Sequence, residues 1–364
     1  MESTTFSQSI KKERIILARE SRGMSQGELA ELLDISNAKL SKVENGIIAL
    51  SDTMLSRLAS ALQYPEAFFT DYTEIFPLGL NYYRKNKGLS TKKYRQIEAF
   101  VNLRRGEIEK LLHSLEFQFD RKVPHCDIDD DKYGSPSIIA SSVRKFWNIP
   151  SGPIDNMILL LESAGIIVVP CDFGTRDFSG VSTWTTDGVH LVFINKNMPG
   201  DRMRFTLAHE LGHMIMHRLT TETMEKEAHI FASEFLMPKE DIIHQLYSIN
   251  LDRLGELKMH WKVSMASILM RSSALGMISD ARYRELWTYM GKYRYKSNEP
   301  VQYNIPQEKP TLLSEMITTH LQEWGYSIEE LASFLLLNES EFRSIYGLKS
   351  SEDPPIRPKL RLLQ

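Results

Sequence analysis

The run His209-Glu210-Leu211-Gly212-His213, inside FTLAHELGHMIMH at 205–217, constrains this chain more than any other feature. On a helix, positions i and i+4 lie one above the other on one face. Two imidazoles placed so can share one metal ion, with Glu210 beside them to take a proton from water. Two ordinary surface histidines would satisfy the same spacing, so the context matters. The motif follows a β-rich run ending Phe193-Ile194-Asn195 and sits in a segment that reads as helix throughout. Only two cysteines occur, Cys126 and Cys171, which excludes a disulfide scaffold or a Cys-only zinc site. Any metal site must then use His, Asp or Glu.

A catalytic metal site needs a third protein ligand and an open position. No third His follows at the spacing that would supply one, so a downstream carboxylate is expected. The segment EKEAHIFASEFLMP at 225–238 offers candidates. Met224, Ala228, Phe231 and Phe235 mark one inward helical face, which Glu225 borders. Ala228 and Ala232 leave room for close helix approach, and Glu227 and Glu234 lie further round. Glu225 is the favoured ligand, and Pro238 ends the helix.

FTLAHELGHMIMH followed by ExEAxxFAxEFLMP resembles the ImmA/IrrE-type metallopeptidases over roughly residues 140–290. The resemblance implies a gluzincin-like, zinc-dependent endopeptidase domain, with zinc or another divalent ion as cofactor. It makes His209, His213 and Glu225 the ligands and Glu210 the general base. Known members cleave DNA-binding repressors and so induce genes. One position departs from the family pattern: four residues after the ligand Glu, where Asn or Asp is usual, stands His229. A neutral His there could orient a ligand histidine or compete as a ligand. His217 continues the histidine face at i+8. Either of these, or a distant Tyr, could stabilise an oxyanion, and His217 equally suits a partly buried helix end.

A second signal lies at 14–69. Ser25 and Glu28 form an S-x-x-E capping box that opens a helix through Leu33. Asp34-Ile35-Ser36 is a tight turn, with Ser36 a natural N-cap for the next helix. That helix buries Leu40 and Val43 and stops at Asn45-Gly46. The block resembles the lambda-repressor-like, XRE-type helix-turn-helix domain. The resemblance places Gln26 near phosphate or base. It puts Ser36, Asn37, Lys39 and Lys42 at the exposed recognition helix, where Asn and Lys reach base edges or phosphates of an operator duplex. Residues 1–70 hold eight basic and nine acidic residues, so any attraction to phosphate is local. A small helical domain that binds protein would share this charge.

The pattern recurs. Residues 23–45 align without gaps on 325–347, with Gly23, Ser25, Glu28, Leu29, Ala30 and Leu33 identical to Gly325, Ser327, Glu330, Leu331, Ala332 and Leu335. A third match runs through 256–271. Asn37 and Lys39 become Glu339 and Glu341 in the last copy, and acids facing phosphate would repel it. Only the first copy is therefore expected to bind DNA. The others serve packing or grip a repressor-like partner, and a generic helical-hairpin pattern explains the match equally well.

The fold class expected is mainly α with a small β-sheet (α+β). A five-helix helix-turn-helix domain spans 1–72, a basic helical connector and acidic loop 73–137, and the metallopeptidase domain 138–290. A linker at 291–310 and a C-terminal helical domain at 311–364 complete the chain. Strands are expected at Ile166–Pro170 and Val189–Asn195. The stretch 80–122 holds 11 basic and five acidic residues and reads as a solvated helix face. The loops 126–137 and 291–310 read as exposed enough to be cut, and the tail after 350 as Pro-broken.

The formal net charge of -3 over 364 residues excludes a globally basic nucleic-acid coat. No apolar run approaches the ~18 residues of a membrane span, and the N-terminus lacks a secretory apolar core. The chain is expected to be soluble and cytoplasmic. The leading reading is a DNA-binding regulatory metallopeptidase acting on a repressor-like protein or on itself. The alternative is a transcriptional regulator or antitoxin whose peptidase fold senses or binds with little proteolysis. A homodimer reading paired half-sites suits such a DNA binder.

Overall fold

The computed structural model describes residues 10–76, 89–115, 119–126, 128, 134–296 and 298–348. Half of the acidic loop at 126–137 falls outside the described residues, as do Arg84, Lys85, Lys87 and the tail from 349. The fold is mainly helical with a small sheet, an α+β layout. Among the described residues no helix is long and apolar enough to cross a membrane.

Two compact units form. One gathers the described residues of Met1–Pro77, Ser90–Ser114 and Ser314–Gln364. It opens with α1 (Lys12–Ser21), α2 (Gln26–Leu32), α3 (Asn37–Glu44) and α4 (Asp52–Leu62), then a short 3-10 helix, Glu66–Thr70, in place of a fifth α-helix. The expected caps are present. Ser25 and Glu28 bond reciprocally across the first turn of α2, and Ser36 Oγ accepts from the Lys39 N–H at the start of α3. Leu29, Leu40, Leu58 and Phe69 fill the core between them.

Next comes α5 (Thr91–Leu112), the 22-residue helix of the expected basic connector. Its start is exposed, with Lys92 and Arg95 outward, but from Val101 to Glu109 it is buried and no solvated face. Ala99 and Leu103 belong to the same core as α1–α4. Arg104 and Arg105 are buried and pair with Glu107 at 2.5 Å and Glu109 at 2.9 Å, one turn further on. Opposite charges at i+3 and i+4 neutralise each other along the helix, so the sequence charge does not report exposure.

The same unit contains α15 (Ile328–Phe334) and α16 (Glu339–Tyr346), so the C-terminal helices do not stand as a separate domain. Arg22 forks onto Glu341 at 2.8 Å, Asn338 Nδ2 donates to the Gln63 carbonyl at 2.9 Å, and Tyr346 donates to Glu107. The repeat is structural. A shift of 302 residues lays α2 and α3 on α15 and α16 end for end, and the capping box recurs at Ser327 and Glu330. The left-handed turn residue recurs as well, Asp34 at φ 51° and Leu336 at φ 60°. A branched residue in that region costs about 1 kcal/mol or more, so the turn geometry is imposed by the packed helix pair. The middle copy keeps the turn too, with Lys262 at φ 55° between α11 (Leu251–Trp261) and α12 (Met265–Ala274).

The second unit gathers the described residues of Leu78–Leu89 and Leu115–Leu313. Helices α6 (Pro136–Phe146) and α7 (Met157–Ser163) precede strands β1 (Ile167–Cys171), β2 (Gly180–Trp184) and β3 (His190–Asn195). Two strands lie within a residue or so of the expected runs; β2 was not expected. The order is β1-β3-β2, with β1 parallel and β2 antiparallel to β3. Val168, Val192 and Ile194 face a core shared with α8 (Gly200–Met216) and α9 (Met224–Leu236). The chain continues through the short α10 (Lys239–Ile242), α11, α12 and α13 (Asp280–Lys292), and α14 (Leu312–Thr318) begins where this unit ends.

The stretch expected as a linker instead closes this unit. A Cβ at Gly200 would stand 2.4 Å from the Pro306 carbonyl oxygen, so the backbone of 305–306 lies directly on the start of α8. Gln307 donates to the Lys196 carbonyl at 2.8 Å, Glu308 takes buried Arg204, and Glu162 accepts the Thr311 and Leu312 N–H groups at 3.1 Å. Three prolines remove helical periodicity but not order, because side chains and carbonyls of neighbouring elements satisfy the extended backbone.

Candidate functional site

Helix α8 carries His209, Glu210 and His213, and α9 crosses it closely. Gly212 makes this approach feasible: a Cβ there would sit 3.0 Å from the Phe231 ring. Ala228 and Ala232 are fully buried at the same contact. Close packing brings Glu225, in the first turn of α9, over the two histidines. His209, His213 and Glu225 each offer a ligand atom within 4.8 Å of the others. The two Nε2 atoms lie 3.1 Å apart, and the Glu225 oxygens stand 3.5 Å from His209 and 3.3 Å from His213. Neighbouring ligands around one cation with bonds of about 2.0 Å are separated by about 3.3 Å. Glu225 Oε1 is buried without a hydrogen-bond partner, which is costly unless something else satisfies it. These residues therefore fit a small divalent cation. Burial alone would raise the Glu225 carboxyl, but bonds and charge from His209 and His213 outweigh it and hold the group well below the usual carboxylate range.

Glu210 lines the same cleft as His209 and Glu225 and is 2 % exposed. Ser182 Oγ, on β2, donates to its Oε2 at 2.8 Å. No sequence signal marked Ser182, because GVSTW gives only a five-residue strand.

The three glutamates of α9 have separate partners. Glu225 faces the histidines, Glu227 Oε2 bonds His217 Nε2 at 2.9 Å, and Glu234 pairs with buried Arg271. His217 Nδ1 in turn lies 3.0 Å from His213 Nδ1. Burial pushes the His217 pKa down, partly offset by Glu227. His217 thus touches His213 at the ring nitrogen opposite the one that faces Glu225. His229 lies elsewhere: its ring packs on Phe205 at 4.9 Å, and burial, with the His209 charge, lowers its pKa. It lines the cleft with His209, Glu210 and Glu225 but stands outside the three-residue grouping. That cleft measures about 1220 Å³, with Gly180 of β2 at its wall.

In the other unit, Asn37, Lys39 and Lys42 project from α3 as exposed side chains. Ser36 is occupied as the N-cap of α3. Gln26 Nε2 is bonded to Glu44 Oε2 at 2.7 Å, and Glu44 also receives buried Arg19.

Comparison with family models agrees with this division. The helix-turn-helix model matches residues 15–69, and the IrrE N-terminal-like domain model, a peptidase family, matches 161–273. Among curated proteins no match is found. The chain joins a helix-turn-helix domain of XRE type to an IrrE-like domain.

Proposed function

We propose that this chain is a DNA-binding regulator whose IrrE-like unit is a zinc-dependent peptidase, hydrolysing a peptide bond in a repressor-like protein or in itself. The observation that carries this reading is the convergence of His209, His213 and Glu225 beside a buried, oriented Glu210. When bound, a divalent cation supplies Lewis-acid polarisation of the scissile carbonyl and lowers the pKa of a water.

The protein's own groups supply the rest. Glu210 accepts a proton from the attacking water at a carboxylate oxygen and passes it to the departing amine nitrogen. Ser182 donates to Oε2 and fixes the plane of that carboxylate. His217 holds the ring of His213 from the opposite nitrogen. β2 is an edge strand of the sheet, and its Gly180 reaches the cleft. An extended peptide laid there would pair its backbone with the strand. Through Asn37, Lys39 and Lys42 the other unit holds operator DNA.

The test incubates the wild type and Glu210→Gln with candidate helix-turn-helix repressors, each protein alone serving as the self-cleavage arm. Fragments from the wild type only are expected. Identical patterns would leave a regulator whose IrrE-like unit senses or binds without cutting. About one equivalent of zinc in the wild type, lost in His209→Ala, is expected from metal analysis.

A further inference from the structure

The helix-turn-helix segment 15–69 has too few available cations for a duplex. It holds five basic and seven acidic residues. Arg19 is buried against Glu44, Arg22 is committed to Glu341, and Arg57 donates to the Leu33 carbonyl. Lys39 and Lys42 are the exposed cations that remain on α3. Duplex DNA carries one negative charge per ~1.7 Å of axis, and affinity depends heavily on neutralising several of them.

More cations arrive from outside the matched segment. The first turn of α5 carries Lys92, Lys93 and Arg95, and it is seated on the turn between α1 and α2. Gln96 Nε2 donates to the Ser21 carbonyl at 3.4 Å, and a Cβ at Gly23 would lie 2.9 Å from that same nitrogen. Tyr94 and Ile97 are buried on the inner face, which leaves Lys92 and Arg95 outward. These two line a cleft of about 360 Å³ with Ser25 and Gln26, the residues that open α2. In helix-turn-helix readers the first of the two helices crosses the phosphate backbone.

We propose that Lys92 and Arg95 form a phosphate-contacting site for duplex DNA, extending the reader beyond residues 15–69. The proposal rests on the reading of α3 as the groove helix. Lys92 Nζ now sits 2.9 Å from Glu28, and Arg95 lies 3.5 Å from Glu20. Both cations are more than half exposed in these pairs. Exposed pairs of this kind contribute little and are screened by salt, so a phosphate can replace the carboxylate. The first turn of α5 then supplies the positive charge that the helix-turn-helix itself lacks.

The test measures binding of the full chain to a fluorescein-labelled duplex of mixed sequence by anisotropy across a salt series. The variants are Lys92→Ala with Arg95→Ala, the charge-keeping Lys92→Arg with Arg95→Lys, and Lys39→Ala with Lys42→Ala. The first pair should lower the slope of log K against log salt by about 2 and weaken binding on the order of 10- to 100-fold at about 0.1 M salt. The charge-keeping pair should bind as the wild type does. Unchanged affinity and slope in Lys92→Ala with Arg95→Ala, while Lys39→Ala with Lys42→Ala is impaired, overturns this site and leaves the groove helix standing. A wild type that binds no duplex even at low salt overturns the groove reading, and this site with it.

Discussion

His217 holds its Nδ1 3.0 Å from Nδ1 of His213, and its Nε2 2.9 Å from Glu227. One arrangement of protons satisfies this chain when His213 presents the Nε2 lone pair to a cation. His213 donates from Nδ1 to His217 Nδ1, and His217 donates from Nε2 to Glu227. Such contacts behind a ligand fix its tautomer and ring plane. His217→Ala should therefore weaken zinc binding by about 10- to 100-fold, measured by competition with a chromophoric chelator, with the helical circular dichroism unchanged. Wild-type affinity in that variant would mean the contact is only packing.

Among the described residues the Ser182 hydroxyl bonds Glu210 and none of His209, His213 or Glu225, so Ser182→Ala should separate catalysis from metal binding. Hydrolysis should fall by about 10-fold, against about 100-fold or more for Glu210→Gln. Zinc stoichiometry should match the wild type in both. A loss of zinc in Ser182→Ala would show that the serine supports the centre and not the base.

Gly200 packs against the Ile305 and Pro306 carbonyls with no room for a methyl group. Backbone cannot swing aside as a flexible side chain can. Gly200→Ala should destabilise the IrrE-like unit by about 1–3 kcal/mol, read as a lower urea midpoint. An unchanged midpoint would mean that segment 299–312 is not held against α8.

The capping box of α2 sets a pH dependence. The backbone N–H of Ser25, then Lys92 and the Ser25 hydroxyl, hold the exposed Glu28 carboxyl down to about 2. A depressed acid contributes stability above the ordinary carboxyl range and loses it as pH falls toward the folded value. The wild type should lose melting temperature more steeply than Glu28→Ala between about pH 4.5 and 2. Parallel curves would show that the capping carboxylate carries no linkage.

Much of this was legible in the chain because it is local. The i, i+4 spacing of His209 and His213 fixes their shared face on any helix, and Ser25 with Glu28 fixes where α2 begins. The repeat at 325–347 was visible because a helix-turn-helix core needs the same small and apolar residues at the same offsets. Gly212 was visible as a letter, but its contact with Phe231 was not.

The division of labour among Glu225, Glu227 and Glu234 was decided by tertiary structure. All three lie on one short helix, and their roles follow from which neighbour α9 meets: the two histidines, His217 or Arg271. Ser182 reaches Glu210 only because β2 pairs antiparallel with β3. The same holds for α5, whose Arg104 and Arg105 are buried and paired with acids on their own helix, and for the proline-rich 299–312, held by Arg204, Gly200 and Glu162. The sequence by itself determined the helix faces, caps and turns, since each depends on residues a few positions apart. Which faces meet depends on close packing between distant segments, and that alone placed the Glu225 carboxylate against two histidines and gave Glu210 the serine that orients it.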